Sequence, residues 1–391
     1  MKAVRGAMLL PEGVREVTAV VEGRRITSIR APRRGDPAAP DGLLVPGFVN
    51  AHLHLELSWL GGVDLGVPEG AGFIPWMKAT TALRTKGVDP GWAKARAALA
   101  EMVKGGTSAA YDVSNSGGMG PILAEGGIQG VAALEVLGFG QEQVSDRLAV
   151  AQKGGGWWDG DNGPVIGRPA PHAVFSTSPE LIKATAGHGA APSTMHIAED
   201  VHESQFLRDG TGPFADLLDE LNVSWRWWKP PGTTVVPYLD SLGVLRPRLT
   251  LVHGVHLTDE DMAILAAKGP TLVLCPRSNL RIGGKLPDVP ALLAAGVRLA
   301  VGTDSLGSSP DLDVLAEIRV LAHAFPEVDP LVWMRLATAG GADAVGLNHV
   351  GRIANQTAPG LVLLHGVKDL SEVFGAEMPK RSWLVPPGGP P

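Results

Sequence analysis

Cysteine is almost absent from this chain of 391 residues: Cys275 stands alone, so neither an intramolecular disulfide nor a CxxC zinc knuckle can form. No charge-free apolar run reaches the length of about 18 residues that a membrane-spanning helix needs. The opening MKAVRGAMLLPEGVREV has no sustained apolar stretch of the kind a secretory signal carries, and a cytoplasmic location is the expectation. Basic runs are missing as well. Lys and Arg number 34 against 40 Asp and Glu, a formal net charge of −6, which is the wrong sign for a surface that neutralises phosphates. Neither a nucleic acid nor a membrane is therefore expected as a partner.

What is present suits a large buried core: 45% of the residues are hydrophobic and 19% charged. The length allows one catalytic domain, or a barrel with a small companion. At the N-terminus VREVTAVVEG and RRITSIRAP read as short strands turning at Glu22-Gly23, and GLVLLHG at 360–366 reads as another. Between these ends, apolar strands alternate with helical segments, the pattern of a parallel α/β sheet. Eight strands are expected, around 43–54, 107–113, 129–137, 164–174, 193–199, 249–255, 271–276 and 298–304. Helix starts are marked by Asp89-Pro90, Ser178-Pro179, Asp329-Pro330 and a Thr258/Asp261 capping box. The segment GWAKARAALAEMVKGG carries apolar residues near helical period and stops at Gly105-Gly106. Eight such alternations can close into a (β/α)₈ barrel or lie open as a doubly wound sheet. The strand count, and the lack of a GxGxxG after an early strand, favour the barrel. Residues 59–88 and 222–238 fit no strand–helix unit and are expected to be insertions over the mouth.

The chemistry concentrates at strand ends. In His52-Leu53-His54 two imidazoles lie two residues apart on a strand, so both project to the same face and can reach one ion. His196 ends a strand (STMHIAE), His253 the next (LTLVHG) and Asp304 the last (RLAVGTD). A ring of strands would bring all of them to one mouth. Three neutral imidazoles and a carboxylate suit Zn²⁺ or Fe²⁺ with a position left open for water, which the metal would acidify to a hydroxide nucleophile. Glu199, three residues past His196, is placed to move a proton rather than to ligate.

PGFVNAHLHLE, HIAE, LVHG and GTDS, in this order, resemble the amidohydrolase superfamily, in particular its one-metal aminohydrolase (deaminase) branch. The resemblance covers almost the whole chain. It implies a distorted (β/α)₈ TIM-like barrel over 45–349 and a small β-sandwich domain made of 1–44 and 350–391. It further implies a metal held by His52, His54, His196 and Asp304, with zinc expected first and iron as the alternative. Glu199 would carry a proton to a substrate ring nitrogen, His253 would stabilise the attacking hydroxide, and Asp304 would take its proton. The two-metal branch uses a carboxylated lysine on the fourth strand, and no lysine lies between Pro164 and Pro179. Longer matches, among them HLHLELSWLGG, APHAVFSTSPELI and TLVLCPRSN, look like the aminodeoxyfutalosine deaminases of menaquinone biosynthesis. Where those commonly carry Asn, this chain has Ser309.

The substrate is thus expected to be a small molecule, and a homodimer is compatible with the resemblance. Glu56, His172, Arg277, Ser278 and Asn279 are the expected substrate contacts. For several residues two roles stay open. His172 either touches substrate or is structural, and Arg277 either reads a substrate carboxylate or caps a loop. Trp225, Trp227 and Trp228 either wall a pocket or pack beneath the insertion. His202 and Glu203 lie either at the mouth or on a solvated helix start. Cys275 is expected as a small buried strand residue. Hydrolysis of a cyclic amide or of another substituted N-heterocycle is the alternative reaction. A non-catalytic scaffold is disfavoured, because all four ligands, Glu199 and His253 are retained.

Overall fold

The computed structural model describes residues 1–84, 92–153, 163–187 and 192–387; Asp89-Pro90 lies outside them. Its strands in chain order begin with β1 (Lys2–Leu10), β2 (Gly13–Glu22), β3 (Arg25–Arg30) and β4 (Gly42–Pro46). Next come β5 (Phe48–Leu53), β6 (Thr107–Ser114), β7 (Gln129–Val136) and β8 (Val165–Pro171). The remainder are β9 (Ser193–Ile197), β10 (Leu249–His253), β11 (Thr271–Leu274), β12 (Arg298–Val301), β13 (Leu361–His365) and β14 (Arg381–Val385). Among the described residues no helix is long and apolar enough to cross a membrane.

Both chain ends share one six-stranded sheet in the order β14-β13-β4-β1-β2-β3. A sandwich was expected, but β1 pairs parallel with β4, and β4 pairs antiparallel with β13. The ladder therefore runs unbroken through strands from both ends. Val4, Met8, Ile26, Leu44 and Leu361 form a small core of their own on this sheet, while Leu9, Leu43 and Val45 join the main core. β14 had no clear signal in the sequence, since RSWLV is short and half-buried.

The expected strand at 43–54 divides in two at Gly47. β4 belongs to the terminal sheet and β5 to a parallel one. A side chain on Gly47 would lie 2.6 Å from the Pro359 carbonyl oxygen and 2.6 Å from the Ser108 Cβ, so only glycine lets the chain pass between the sheets here.

The eight expected strand positions are occupied by β5 to β12, in two four-stranded parallel sheets, β5-β6-β7-β8 and β12-β11-β10-β9. β5, β9, β10 and β11 are buried along their whole length, which is why they read as apolar runs without alternation. Among the described residues no ladder continues from one sheet to the other, yet backbone hydrogen bonds cross at both edges, with a single parallel bridge between Leu53 and Asp304. The His196 N–H donates to the His172 carbonyl (2.8 Å), and the Thr303 and Asp304 N–H groups donate to the His52 carbonyl (3.0 and 3.1 Å). Gly302 permits the second approach, because a Cβ there would stand 2.6 Å from the His52 oxygen.

Local signals hold where they can be read. The helix Trp92–Lys104 buries Ala95, Leu99 and Met102. Ser178 and Asp329 cap helices with proline in the first turn, and Thr258 and Asp261 form the reciprocal capping box. Of the two insertions, 59–88 contributes the helix Phe73–Arg84, whose Phe73, Trp76, Met77 and Thr80 face the cavity described below. The other insertion is packing. Trp225 and Trp228 are buried against Phe206, and the Trp227 indole N–H donates to the Phe139 carbonyl (3.1 Å). None of the three tryptophans lines that cavity.

Candidate metal centre

His52 is the penultimate residue of β5 and His54 follows its end; His196 is penultimate in β9, His253 ends β10, and Asp304 lies just past β12. All are at carboxyl ends of parallel strands, so the backbone alone brings them together. The His196 Nε2 lies 3.2 Å from the His52 Nε2 and 3.3 Å from the His54 Nε2. The Asp304 Oδ1 lies 3.6 Å from the His54 Nε2 and 4.0 Å from the His52 Nε2. Donors bonded at about 2.0–2.1 Å around a tetrahedral ion would stand roughly 3.3 Å apart. Three non-glycine residues with positive φ gather here: Ala198 (47°), His253 (75°) and Asp304 (59°). Such backbone is uncommon outside glycine and collects where a site dictates the direction of a side chain.

The donor set calls for a cation. The His196 Nδ1–H donates to the His172 carbonyl (3.1 Å), so its Nε2 carries a lone pair. Burial, reinforced by the neighbouring imidazoles, holds His52 and His196 well below the usual histidine range, and both are neutral. The single lone pair on the His196 Nε2 faces two ring nitrogens, so hydrogen bonding satisfies at most one of these contacts, whereas one metal ion can take the lone pairs of all three rings. Burial opposes the charge of Asp304, but His54, His253 and the Ser278 hydroxyl outweigh it and leave the carboxyl below its ordinary value. The Asp304 Oδ2 accepts from Ser278 (2.5 Å) and Ser308 (3.0 Å), so Oδ1 is turned toward the histidines.

Two groups stand over this cluster. Glu199 has its Oε2 3.8 Å from the His253 Nε2, and burial, with Asp304 and Asp200 nearby, pushes its carboxyl well above the usual range. The His253 Nδ1–H donates to the Asn279 Oδ1 (2.8 Å), which leaves Nε2 free to accept. A cavity of about 260 Å³ opens above them, with Phe73, Trp76 and Phe175 on one side and Glu56, Asn115, Glu135 and His172 among its polar groups.

Residues 43–381 match the model of the amidohydrolase family. The chain belongs to the amidohydrolase family. It is a hydrolase acting on carbon–nitrogen bonds, and the His52, His54, His196 and Asp304 cluster carries the donor types that suit a divalent metal. The chain is 31% identical to an aminodeoxyfutalosine deaminase of Deinococcus radiodurans over 345 residues, which cover 84% of this chain and 81% of that one. It is 29% identical to a 5-methylthioadenosine/S-adenosylhomocysteine deaminase of Pelotomaculum thermopropionicum, with 92% and 84% covered. The fold matches that of a crystallised adenosine deaminase of Xanthomonas campestris with bound zinc. There the TM-score is 0.80 and the identity 24%, over 96% of this chain and 89% of that one.

Within this amidohydrolase site the expected substrate contacts divide. Glu56 and His172 line the cavity. Glu56 accepts from the Ser116 N–H (2.8 Å) and hydroxyl (2.6 Å) and from Arg84 (2.9 Å), while burial pushes His172 down to about 3. Ser278 and Asn279 do not reach the cavity; they are buried behind it, holding Asp304 and His253. Ser309 donates to the Thr303 carbonyl (2.9 Å) and likewise braces the strand end.

Arg277 corrects the expectation most sharply. Its Nε donates to the Glu317 Oε1 (2.6 Å) and its Nη2 to the Asp311 Oδ1 (2.8 Å), away from the cavity. The guanidinium is already engaged by protein carboxylates, so a substrate carboxylate has no claim on it. Glu317 is fully buried, and removing its partner strands that charge. Arg277→Ala is therefore expected to cost about 3–5 kcal/mol of stability in urea unfolding, with selectivity between carboxylated and uncharged substrates unaltered. A loss confined to carboxylated substrates would restore the discarded role.

Two residues of the site, Arg84 and Glu135, escaped the sequence reading, and a third, Glu203, was left between the mouth and a solvated helix start. Glu203 is buried, not solvated, and its carboxylate accepts from the backbone N–H groups of Ala198 (3.1 Å), Glu199 (2.8 Å) and Asp200 (3.3 Å), fixing the turn that aims Glu199. Arg84, on the helix from the first insertion, lines the cavity and also donates to Asn115 (3.0 Å). Glu135 lies on the wall in β7. The signal for it was present: an acid inside the apolar run GVAALEVL has no reason to be there except function or a buried partner.

Proposed function

We propose that this amidohydrolase is a hydrolytic deaminase of an aminopurine nucleoside, with aminodeoxyfutalosine as its substrate and zinc as its metal. The observation that carries the reading is the position of Glu199, a carboxyl pushed well above the usual range by burial, with its Oε2 3.8 Å from the His253 Nε2 beside the ligand cluster. Ring deamination needs such an acid, because the ring nitrogen must gain a proton as water adds to the adjacent carbon. The similarity to nucleoside deaminases supports the substrate class. In this reading 45–349 form the catalytic barrel, with the two parallel sheets as its halves, and 1–44 with 350–391 form the companion β unit.

His52, His54, His196 and Asp304 would hold the ion, which when bound supplies a nucleophile by bringing the pKa of water down toward neutrality. His253 accepts a hydrogen bond from the attacking water through its free Nε2 and so orients it. Asp304, with Oδ2 occupied by two hydroxyls, takes the proton of the water on Oδ1. Glu199 gives its proton to the ring nitrogen. Asp304 then passes the water's proton to the exocyclic amino group, which leaves as ammonia, and the hydroxyl left on the ring carbon returns its own proton to Glu199 as that carbon becomes a carbonyl. Phe73, Trp76 and Phe175 suit a flat heterocycle, and Arg84, paired with Glu56, is on the cavity wall where Arg277 is not.

Ammonia release from a panel of aminopurine nucleosides tests this directly. The highest kcat/KM is expected for aminodeoxyfutalosine over adenosine, 5-methylthioadenosine and S-adenosylhomocysteine. A different order would move the substrate and keep the chemistry. Release from none of them, with a cyclic amide hydrolysed instead, would overturn the deaminase reading.

A further inference from the structure

Glu135 presents an anomaly that the metal centre does not use. Its side chain is about nine-tenths buried, with 7% of its surface exposed, and it lines the cavity. One oxygen is satisfied: Oε2 accepts from the Asn115 amide (2.7 Å). The other, Oε1, is buried without any hydrogen-bond partner. Its neighbours are the His196 Nδ1 at 3.7 Å and the His172 Nε2 at 4.0 Å, both beyond hydrogen-bond reach. A buried carboxylate oxygen left bare is costly, and such groups call for an explanation by a ligand.

Two ligands can be weighed. A second cation would find Glu135, His172 and His196 close together. However, the His196 Nδ1–H already donates to the His172 carbonyl, so it has no lone pair to offer, and two donors are too few for a metal site. A group that donates hydrogen bonds is the better fit. The Ser176 hydroxyl donates to the Ala173 carbonyl (3.3 Å), and we assign the His172 proton to Nδ1, from which it is donated to that hydroxyl (2.5 Å). The His172 Nε2 is then an acceptor as well. Two acceptors 4.0 Å apart on the cavity wall suit two donors carried on adjacent carbon atoms.

We infer that Glu135 anchors a vicinal diol of the substrate, its Oε1 accepting one hydroxyl while the His172 Nε2 accepts the other. The inference rests on the nucleoside reading above and deepens it: the diol is that of the ribosyl group. Glu135 stands on the Nδ1 side of His196, and the ligand cluster on the Nε2 side. The sugar would therefore be held one imidazole's width from the metal while the base lies over it. Asn115 ties Glu135 to Arg84, and Arg84 to Glu56, so sugar recognition and the outer cavity share one polar wall.

The test separates binding from turnover by working in the metal-loaded Glu199→Gln protein. Adenosine and 2′,3′-dideoxyadenosine are titrated into it and into the same protein carrying Glu135→Gln, with metal content measured in both. Adenosine should bind the protein that retains Glu135 more tightly by about ten- to a hundred-fold, the worth of a charge-assisted hydrogen bond. Glu135→Gln should erase that preference, and Glu135→Asp should restore part of it. Equal affinity of the two nucleosides for the protein with Glu135 intact overturns the inference outright. So does an equal weakening of both by Glu135→Gln, which would make Glu135 a prop for His172 and His196. Ammonia release by the unaltered enzyme is read separately. Diol selectivity without deamination would remove the proposed reaction and leave this subsite, and the converse would remove the subsite alone.

Discussion

Asp304→Ala and His196→Ala are expected to purify without their metal and to lose turnover by more than about 10⁴-fold, because water at its ordinary pKa of about 15.7, against about 7 on a metal, is almost never hydroxide at neutral pH. Both residues meet the cluster in the structure: the His196 Nε2 sits between the His52 and His54 nitrogens, and the Asp304 Oδ1 closes the remaining side. Removing either takes away one of the four protein donors and weakens the hold on the ion against water and chelator at low concentration. Asp304→Ala also releases the hydroxyls of Ser278 and Ser308 into a buried space with no carboxylate to bond. Elemental analysis beside an ammonia assay measures both effects. One equivalent of tightly held metal in an active Asp304→Ala protein would remove Asp304 from the ligand set. Two equivalents in the unaltered enzyme, both needed for activity, would end the one-metal reading.

Glu199→Gln should behave in the opposite way: metal content preserved, turnover down by about 10²–10⁴-fold. Glutamine keeps the shape of the side chain, and the turn beneath it is held by Glu203 through backbone N–H groups that the substitution does not touch. What disappears is the transferable proton. The loss should therefore fall on kcat, with substrate affinity nearly intact, and that affinity makes this variant a suitable background for binding measurements. Loss of the metal would instead make Glu199 a ligand, and near-normal turnover would assign the proton to another group.

Sequence and structure agree best where the determining interactions are short in range. HxH at the end of β5 follows from the two-residue repeat of a strand, and the apolar runs of β9, β10 and β11 follow from burial on both faces. The caps at Ser178, Thr258 and Asp329 join residues two or three apart. Each can be read from a few neighbouring letters.

Arg277 shows where that reading stops. Its place at the end of β11 was legible, and a strand end points toward the mouth, but Glu317 and Asp311 lie far along the chain and capture the guanidinium from the side. Ser278 and Asn279 were picked out as substrate contacts and stand one layer back, behind Asp304 and His253. Glu135 was an odd acid in an apolar strand until folding set it against His172 and His196.

The sequence by itself determined the order of strands and helices, the histidines and aspartate brought to the strand ends, and the family, because a local repeat or a short motif specifies each of these. Only the tertiary structure decided that both chain ends join one sheet, that the chain changes sheets at Gly47, and which polar side chains face the cavity and which are consumed behind it. The physical reason is pairing over distance. A buried charge takes whichever partner the fold brings within about 3 Å, and the separation of that partner along the chain leaves no local trace.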